Sequence, residues 1–242
     1  MLARATCFFP LNINFTALLP THNSHQQLPT TKPAFLRYPT NLSLAPFPSQ
    51  PGPGVLPFFA DFGPFARWLP REQISLDAMR AGTGTSSMPP EVEDLVRTTV
   101  TRIRAAGGRV VGLMGFSQGT KIVAGLLRAS EVLDSIGRNK SNEWCNFKFG
   151  VSVCSSFPPP VFPLSIRAPM LDKKIRSPCY HVIGKQDEWN WAGMVLVEKH
   201  FEVGEEMAVV AECEVGHQYP LKKEETEAMW RWMEAQLKRV GT

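Results

Sequence analysis

The chain of 242 residues has no C-x-x-C pair, no block of lysine and arginine, and no long apolar run. Each absence excludes a class of protein. The five cysteines, Cys7, Cys145, Cys154, Cys179 and Cys213, are odd in number and scattered. They spell neither a zinc site nor a disulfide framework, and the expectation is reduced thiols in a cytoplasmic protein. The formal charge of +4 is spread along the chain, which leaves no footprint for nucleic acid. No window approaches the ~18 consecutive apolar residues of a membrane span, so no membrane partner is expected. Neither a Walker loop nor a dinucleotide fingerprint occurs, and the expected cofactor and metal content is none. There is no internal repeat, and 43% hydrophobic residues over this length suit one domain with a sizeable core.

Acidic residues are also missing at the start, where none precedes Asp61. The first residues are rich in proline, threonine, serine and asparagine. Apolar clusters such as CFFPLNINFTALLP are cut by Pro10, Asn12, Asn14 and Pro20, so neither helical nor strand periodicity is sustained. The reading is an irregular, poorly ordered segment over 1–41 and a folded domain over 42–242. A secretory signal would need a cleaner apolar core than this.

Past that boundary the pattern changes. Residues 48–70, PSQPGPGVLPFFADFGPFARWLP, read as a Pro/Gly loop with many aromatics. A helix follows in SSMPPEVEDLVRTTVTRIRAAGG. Ser87 is a candidate cap, Pro89 and Pro90 suit a helix start, and Glu91, Glu93 and Asp94 favour the positive end of its dipole. Val92, Leu95, Val96, Val100 and Ile103 form its apolar face, and Gly107-Gly108 end it. The continuous apolar run RVVGLMGF (109–116) is what a buried parallel strand shows. A helix from 118 to about 130 follows. Further strands are expected at 147–155, 179–184 and 207–213, with helices near 190–202 and at 221–238. This alternation predicts an α/β fold, a doubly wound and mostly parallel sheet with helices on both faces.

Within it, Gly115-Phe116-Ser117-Gln118-Gly119 lies at the carboxyl end of a buried strand, just before a helix. That is the setting of a nucleophile elbow, with glycines where the turn brings backbones together and the Gln118 backbone N–H free to meet an oxyanion. A serine hydroxyl is a poor nucleophile at neutral pH unless a base takes its proton and an acid orients that base. His22 and His25 precede the serine, His181 lies inside a strand, and His200 ends a helix. His217, in CEVGHQYP, has both the required chain order and a turn after a strand. For the acid, VIGKQDEW offers Asp187 and Glu188 just past a strand. Asp187 is preferred because a shorter side chain is easier to hold rigidly; Asp172 follows no clear strand. Phe58, Phe62 and Phe157 are candidates to line a hydrophobic acyl pocket.

The words GFSQG, GKQDEW and VGHQYP, with the Pro/Gly/aromatic stretch ending at Trp68, resemble the fungal family of small serine hydrolases of the α/β-hydrolase fold. The resemblance runs from about Leu42 to Leu237. It implies an esterase or thioesterase acting on a small-molecule ester or acyl thioester in fungal polyketide metabolism, with an acyl-carrier domain of a synthase as a transient partner. The family's first strand ends in a His-Gly loop that supplies a second oxyanion donor, and no His-Gly pair occurs in residues 1–54. The N-terminal strand is therefore expected to be missing or diverged. The alternatives are a catalytically impaired binding protein of the same fold and a general carboxylesterase.

Overall fold

A computed structural model describes residues 13–18, 46–49, 65–70, 76–81, 83–138, 143–166, 173–204, 206–218, 220 and 222–241. The apolar run at 109–116 forms β4 (Arg109–Phe116), preceded in the chain by β1 (Ile13–Leu18), β2 (Phe47–Ser49) and β3 (Phe65–Arg67). Beyond it come β5 (Phe149–Val153), β6 (Cys179–Gly184) and β7 (Ala208–Cys213). The main sheet has the order β1-β4-β5-β6-β7, and β4 to β7 are parallel. β5 and β6 are buried at every position, which explains why both are largely apolar instead of alternating, with Ser152 and His181 as the polar exceptions.

The helices are α1 (Leu76–Ala81), α2 (Pro90–Ala105), α3 (Gly119–Ser135), α4 (Asn190–His200) and α5 (Lys223–Gly241). Apolar residues of α2, α3 and α4 share one core cluster, and those of α5 share the other with Phe116, Val151 and Val182. The sheet is thus covered on both faces, as the alternation predicts. Every residue of α3 from Gly119 to Ser130 is buried, because the helix packs on β4 and β5 and the loop after β5 crosses it, the Val161 N–H donating to the Lys121 carbonyl at 3.2 Å. Ile122 and Leu126 are wholly enclosed, each worth about 1.5–3 kcal/mol relative to exposure.

Two expectations change. Ser87 does not cap α2: the helix starts at Pro90 with Pro89 at the cap position and no side-chain cap bond. Consecutive prolines set the backbone for helix entry, and Pro90 carries no N–H to satisfy, so a serine cap has little to do. Ser87 instead bridges to Phe162 in the loop after β5. The segment 1–41 is not irregular throughout, because Ile13–Leu18 pairs antiparallel with β4, Ile13 opposite Gly115. INFTAL carries Ile, Phe and Thr, which favour extended backbone, and the edge of β4 supplies the ladder that a six-residue strand cannot make alone. Short strands also bracket the aromatic loop, as β2 and β3 pair antiparallel. Among the described residues no helix is long and apolar enough to cross a membrane.

Candidate active site

Parallel strands end together, so the turns after β4, β5, β6 and β7 converge at one edge of the sheet. Ser117 sits in the first of them with a φ of +50°, in the left-handed region that few non-glycine residues adopt. The turn is held by its surroundings. The Ser117 N–H donates to the Val153 carbonyl at 3.0 Å, and the Ser117 carbonyl accepts from the Thr120 N–H at 3.0 Å and its hydroxyl at 2.6 Å. Gly115 is required here, since a Cβ on it would come within 2.6 Å of the Gly119 carbonyl oxygen. The strain at Ser117, about 1–3 kcal/mol, is the cost of lifting its hydroxyl clear of both strand and helix.

The turn after β6 carries Asp187 and the turn after β7 carries His217. Backbone bonds join these turns: the Lys185 N–H donates to the Cys213 carbonyl at 2.9 Å, and the Gln186 N–H to that of Val215 at 3.0 Å. A Cβ on Gly184 would lie 2.6 Å from the carbonyl oxygens of both Val215 and Gly216, so glycine allows the close approach. His217 Nδ1 lies 2.8 Å from Asp187 Oδ2, and Nε2 lies 3.0 Å from Ser117 Oγ. An ionised carboxylate can only accept, so Nδ1 carries the ring proton and Nε2 is left to accept from the serine hydroxyl. The second carboxylate oxygen, Oδ1, accepts the Trp189 N–H at 2.9 Å.

Asp187 has a side chain only 1% exposed. Burial pulls its carboxyl upward, but the bonds from His217 and Trp189, with the His217 charge and Cys154, outweigh this and hold it below its ordinary value. It therefore stays charged at neutral pH. Phe116 stands edge-on to the His217 ring at 5.1 Å between centroids and limits how that ring can turn.

Sequence reasoning passed over Cys154, in the turn after β5. Its φ is +47°, and its thiol donates toward the carbonyls of Gln218, at 3.2 Å, and Gly216, at 3.7 Å, on either side of His217. Burial first, then the Asp187 charge, push this thiol up to about 12. In the sequence it lay inside the strand expected at 147–155, and only the end of β5 at Val153 puts it in a turn. Its sulfur, an Asp187 oxygen and a His217 ring nitrogen lie within 4.8 Å of one another, a set that could hold a soft cation. Metal binding there would need the thiol ionised and would compete with the Asp187–His217 bond, so the cluster works best as a hydrogen-bonded support.

Gln118 does two things. Its N–H, at the mouth of α3, has no acceptor among the described residues and is available to an oxyanion. Its side-chain oxygen accepts the Trp68 N–H at 2.7 Å and the Leu69 N–H at 3.1 Å, which pins the arm after β3 beside the Ser117 turn. Phe157 is buried, with the Lys121 ammonium 5.1 Å from its ring centroid. Lys121 is buried as well, and desolvation lowers it to about 8. Phe58 and Phe62 lie outside the described residues.

With this geometry in hand, comparison with known proteins is informative. A family model described as Serine hydrolase (FSH1) matches residues 76–229, a span that includes Ser117, Asp187 and His217. Among curated relatives, "Thioesterase FSL2" of Gibberella zeae is 28% identical over 209 residues, covering 76% of this chain and 74% of its own. "Esterase pigG" of Monascus ruber is 28% identical over 208 residues, covering 76% and 75%. A third, the "Dihydromonacolin L-[lovastatin nonaketide synthase] thioesterase" of Aspergillus terreus, is 38% identical over 85 residues, 34% of this chain and 32% of that one. A solved structure from a study of two esterases from Rhizomucor miehei aligns with a TM-score of 0.40 at 9% identity over 63% of this chain and 62% of that one, too loose a likeness to build on.

Proposed function

The chain belongs to the FSH1 serine hydrolase family, and from that premise we propose that Ser117, His217 and Asp187 are the catalytic triad of an esterase or thioesterase for a hydrophobic acyl substrate. The observation that carries the proposal is the unbroken bridge of His217, 2.8 Å from Asp187 and 3.0 Å from Ser117.

Ser117 Oγ attacks the carbonyl carbon while its proton passes to His217 Nε2. The carbonyl electron pair moves onto oxygen, where the Gln118 N–H meets the developing charge. As the tetrahedral centre collapses, His217 returns the proton to the departing alcohol or thiol, leaving an acyl-Ser117 ester. Water then repeats the sequence, giving its proton to His217 and releasing the acid. Asp187 stays ionised throughout, orients the imidazole, and stabilises the imidazolium formed in each half. No step requires a metal or organic cofactor.

The same reading extends to context. The name of the Aspergillus terreus relative couples a thioesterase to a nonaketide synthase, which supports an acyl-carrier domain as the partner and a fungal polyketide pathway as the setting. The scattered cysteines support a cytoplasmic location.

The test is covalent labelling by a fluorophosphonate, run with turnover of an ester and a thioester. Labelling and turnover that are lost in both Ser117→Ala and His217→Ala are the expected result. A folded, monodisperse protein that neither labels nor turns over would overturn the hydrolase reading in favour of a binding protein. Turnover that survives Ser117→Ala would overturn the assignment of the nucleophile.

A further inference from the structure

Beside the triad acid lies a cavity of about 610 Å³ lined by Arg80, Glu188, Trp189 and Trp191. Its position follows from the chain. Glu188, Trp189 and Trp191 come directly after Asp187, and the Trp189 N–H is the donor on Asp187 Oδ1 at 2.9 Å. Arg80 comes from α1, which follows the arm that the Gln118 side chain holds beside the nucleophile. The tryptophan wall is therefore tied to Asp187 by a direct hydrogen bond.

The lining has a particular chemistry. The rings of Trp189 and Trp191 stand 6.4 Å apart between centroids and are tilted by 42°, which presents two indole faces to one space. Trp191 is 38% exposed and is one of only four large hydrophobic side chains exposed among the described residues. An indole left in water at the mouth of a cavity is surface that a ligand can cover. The two charged groups differ in availability. Glu188 accepts the Trp189 indole N–H at 3.0 Å, so it orients that ring. Arg80 makes no hydrogen bond or ion pair with any described residue. Its guanidinium is a planar fork of donors that suits a carboxylate or phosphate, and the Glu188 charge keeps an incoming anion on the Arg80 side.

We infer that this cavity is a substrate subsite beside the triad acid, built for a flat aromatic or conjugated group on a ligand that carries an anion, with Trp189 and Trp191 taking the flat body and Arg80 the anion. The inference rests on the hydrolase reading above and names its substrate class. The volume fits a body of fused rings and greatly exceeds an acetyl group. A carboxylate or phenolate on the acyl body and the phosphate of a carrier arm are chemically equivalent to Arg80, so the probes must separate them.

Four thioesters do so: acetyl and 2-naphthoyl N-acetylcysteamine, a 6-carboxy-2-naphthoyl analogue with its charge on the acyl body, and 2-naphthoyl coenzyme A with its charge on the handle. Trp191→Ala is expected to lower the naphthoyl-to-acetyl ratio of kcat/KM about tenfold. Arg80→Gln is expected to raise KM about fivefold for one anionic probe relative to its neutral counterpart, and the probe affected identifies the source of the anion. Calorimetric binding of the naphthoyl probes to Ser117→Ala protein, with and without Trp191→Ala, reads the cavity without turnover. If the wild-type protein hydrolyses none of the four while naphthoyl binding still depends on Trp191, the hydrolase reading falls and the cavity stands. Acetyl and naphthoyl ratios unmoved by Trp191→Ala, or binding indifferent to Trp191 and Arg80, would overturn the inference.

Discussion

In the turn after β7, the His217 side chain is one third exposed and both ring nitrogens are engaged. In the middle of β6, the adjacent strand, His181 is wholly buried and neither nitrogen has a hydrogen-bond partner among the described residues. The His181 ring packs edge-on against Phe201, 4.5 Å between centroids, as an aromatic would. Desolvation lowers His181 to about 3, so it takes no proton at neutral pH. A base has to gain and release a proton within each turnover, which needs a partner for the charged form and access for the substrate. The end of a strand provides both, and its middle provides neither. In the proposed mechanism, the same sheet thus makes one histidine a reagent and the other a filler.

The widest separation between the two is expected in turnover. His217→Ala should lower kcat/KM by roughly 10⁵–10⁶, as loss of a triad base does, while its unfolding midpoint in urea stays near wild type. His181→Leu should leave turnover within about twofold of wild type, because nothing links that ring to the reacting atoms. Equal losses from the two substitutions would erase the contrast.

A smaller effect is expected from the support under His217. Cys154→Ala removes the thiol that binds the carbonyls flanking that residue and touches Asp187, and misplacing a base by a fraction of an ångström should lower kcat about tenfold with KM little changed. Cys154→Ser keeps a donor and should recover part of the loss. A change in KM alone, or no recovery by serine, would show that Cys154 acts in some other way.

The smallest effect concerns stability. His181→Leu replaces two unsatisfied nitrogens with apolar surface and should stabilise the fold by about 1–2 kcal/mol at pH 7. The gain should grow in acid. Below about pH 6.5 the unfolded chain takes up a proton at His181 that the folded chain refuses until about pH 3, so wild-type stability falls as pH falls through that window. His200, lowered to about 4 mainly by burial and then by nearby lysines, acts in the same direction. Urea unfolding at pH 7 and pH 5 should therefore show a flatter dependence for the variant, though not a flat one. A variant as acid-sensitive as wild type would mean that His181 is not what the buried proton linkage acts through.

Much of the parallel sheet could be read from residue pattern. Buried parallel strands must be apolar on both faces, and RVVGLMGF and CYHVIG are apolar nearly throughout, which is why β4 and β6 coincide with their expected ranges. β1 was hidden because INFTAL is too short to show a period between Asn12 and Pro20, and its pairing partner is distant in the chain. Cys154 was hidden for a related reason. A thiol reads as a small buried side chain until the turn after β7 folds over it and presents two carbonyls.

What the sequence determined by itself was the kind and order of the parts: strands from continuous apolar runs, helices from their periodicity, and a serine, an acid and a histidine in that order after three of the strands. Those features are local and survive in an isolated peptide's composition and pattern. Tertiary structure decided the distances. Asp187 and His217 are 30 residues apart, and Ser117 and His217 are 100 apart. They meet only because β4 to β7 pair in parallel register and bring their ends to one edge. The cavity beside Asp187 has the same origin, since Arg80 and the two tryptophans share no local pattern. Their juxtaposition depends on the fold bringing α1 and the start of α4 to the same cavity, which no local periodicity records.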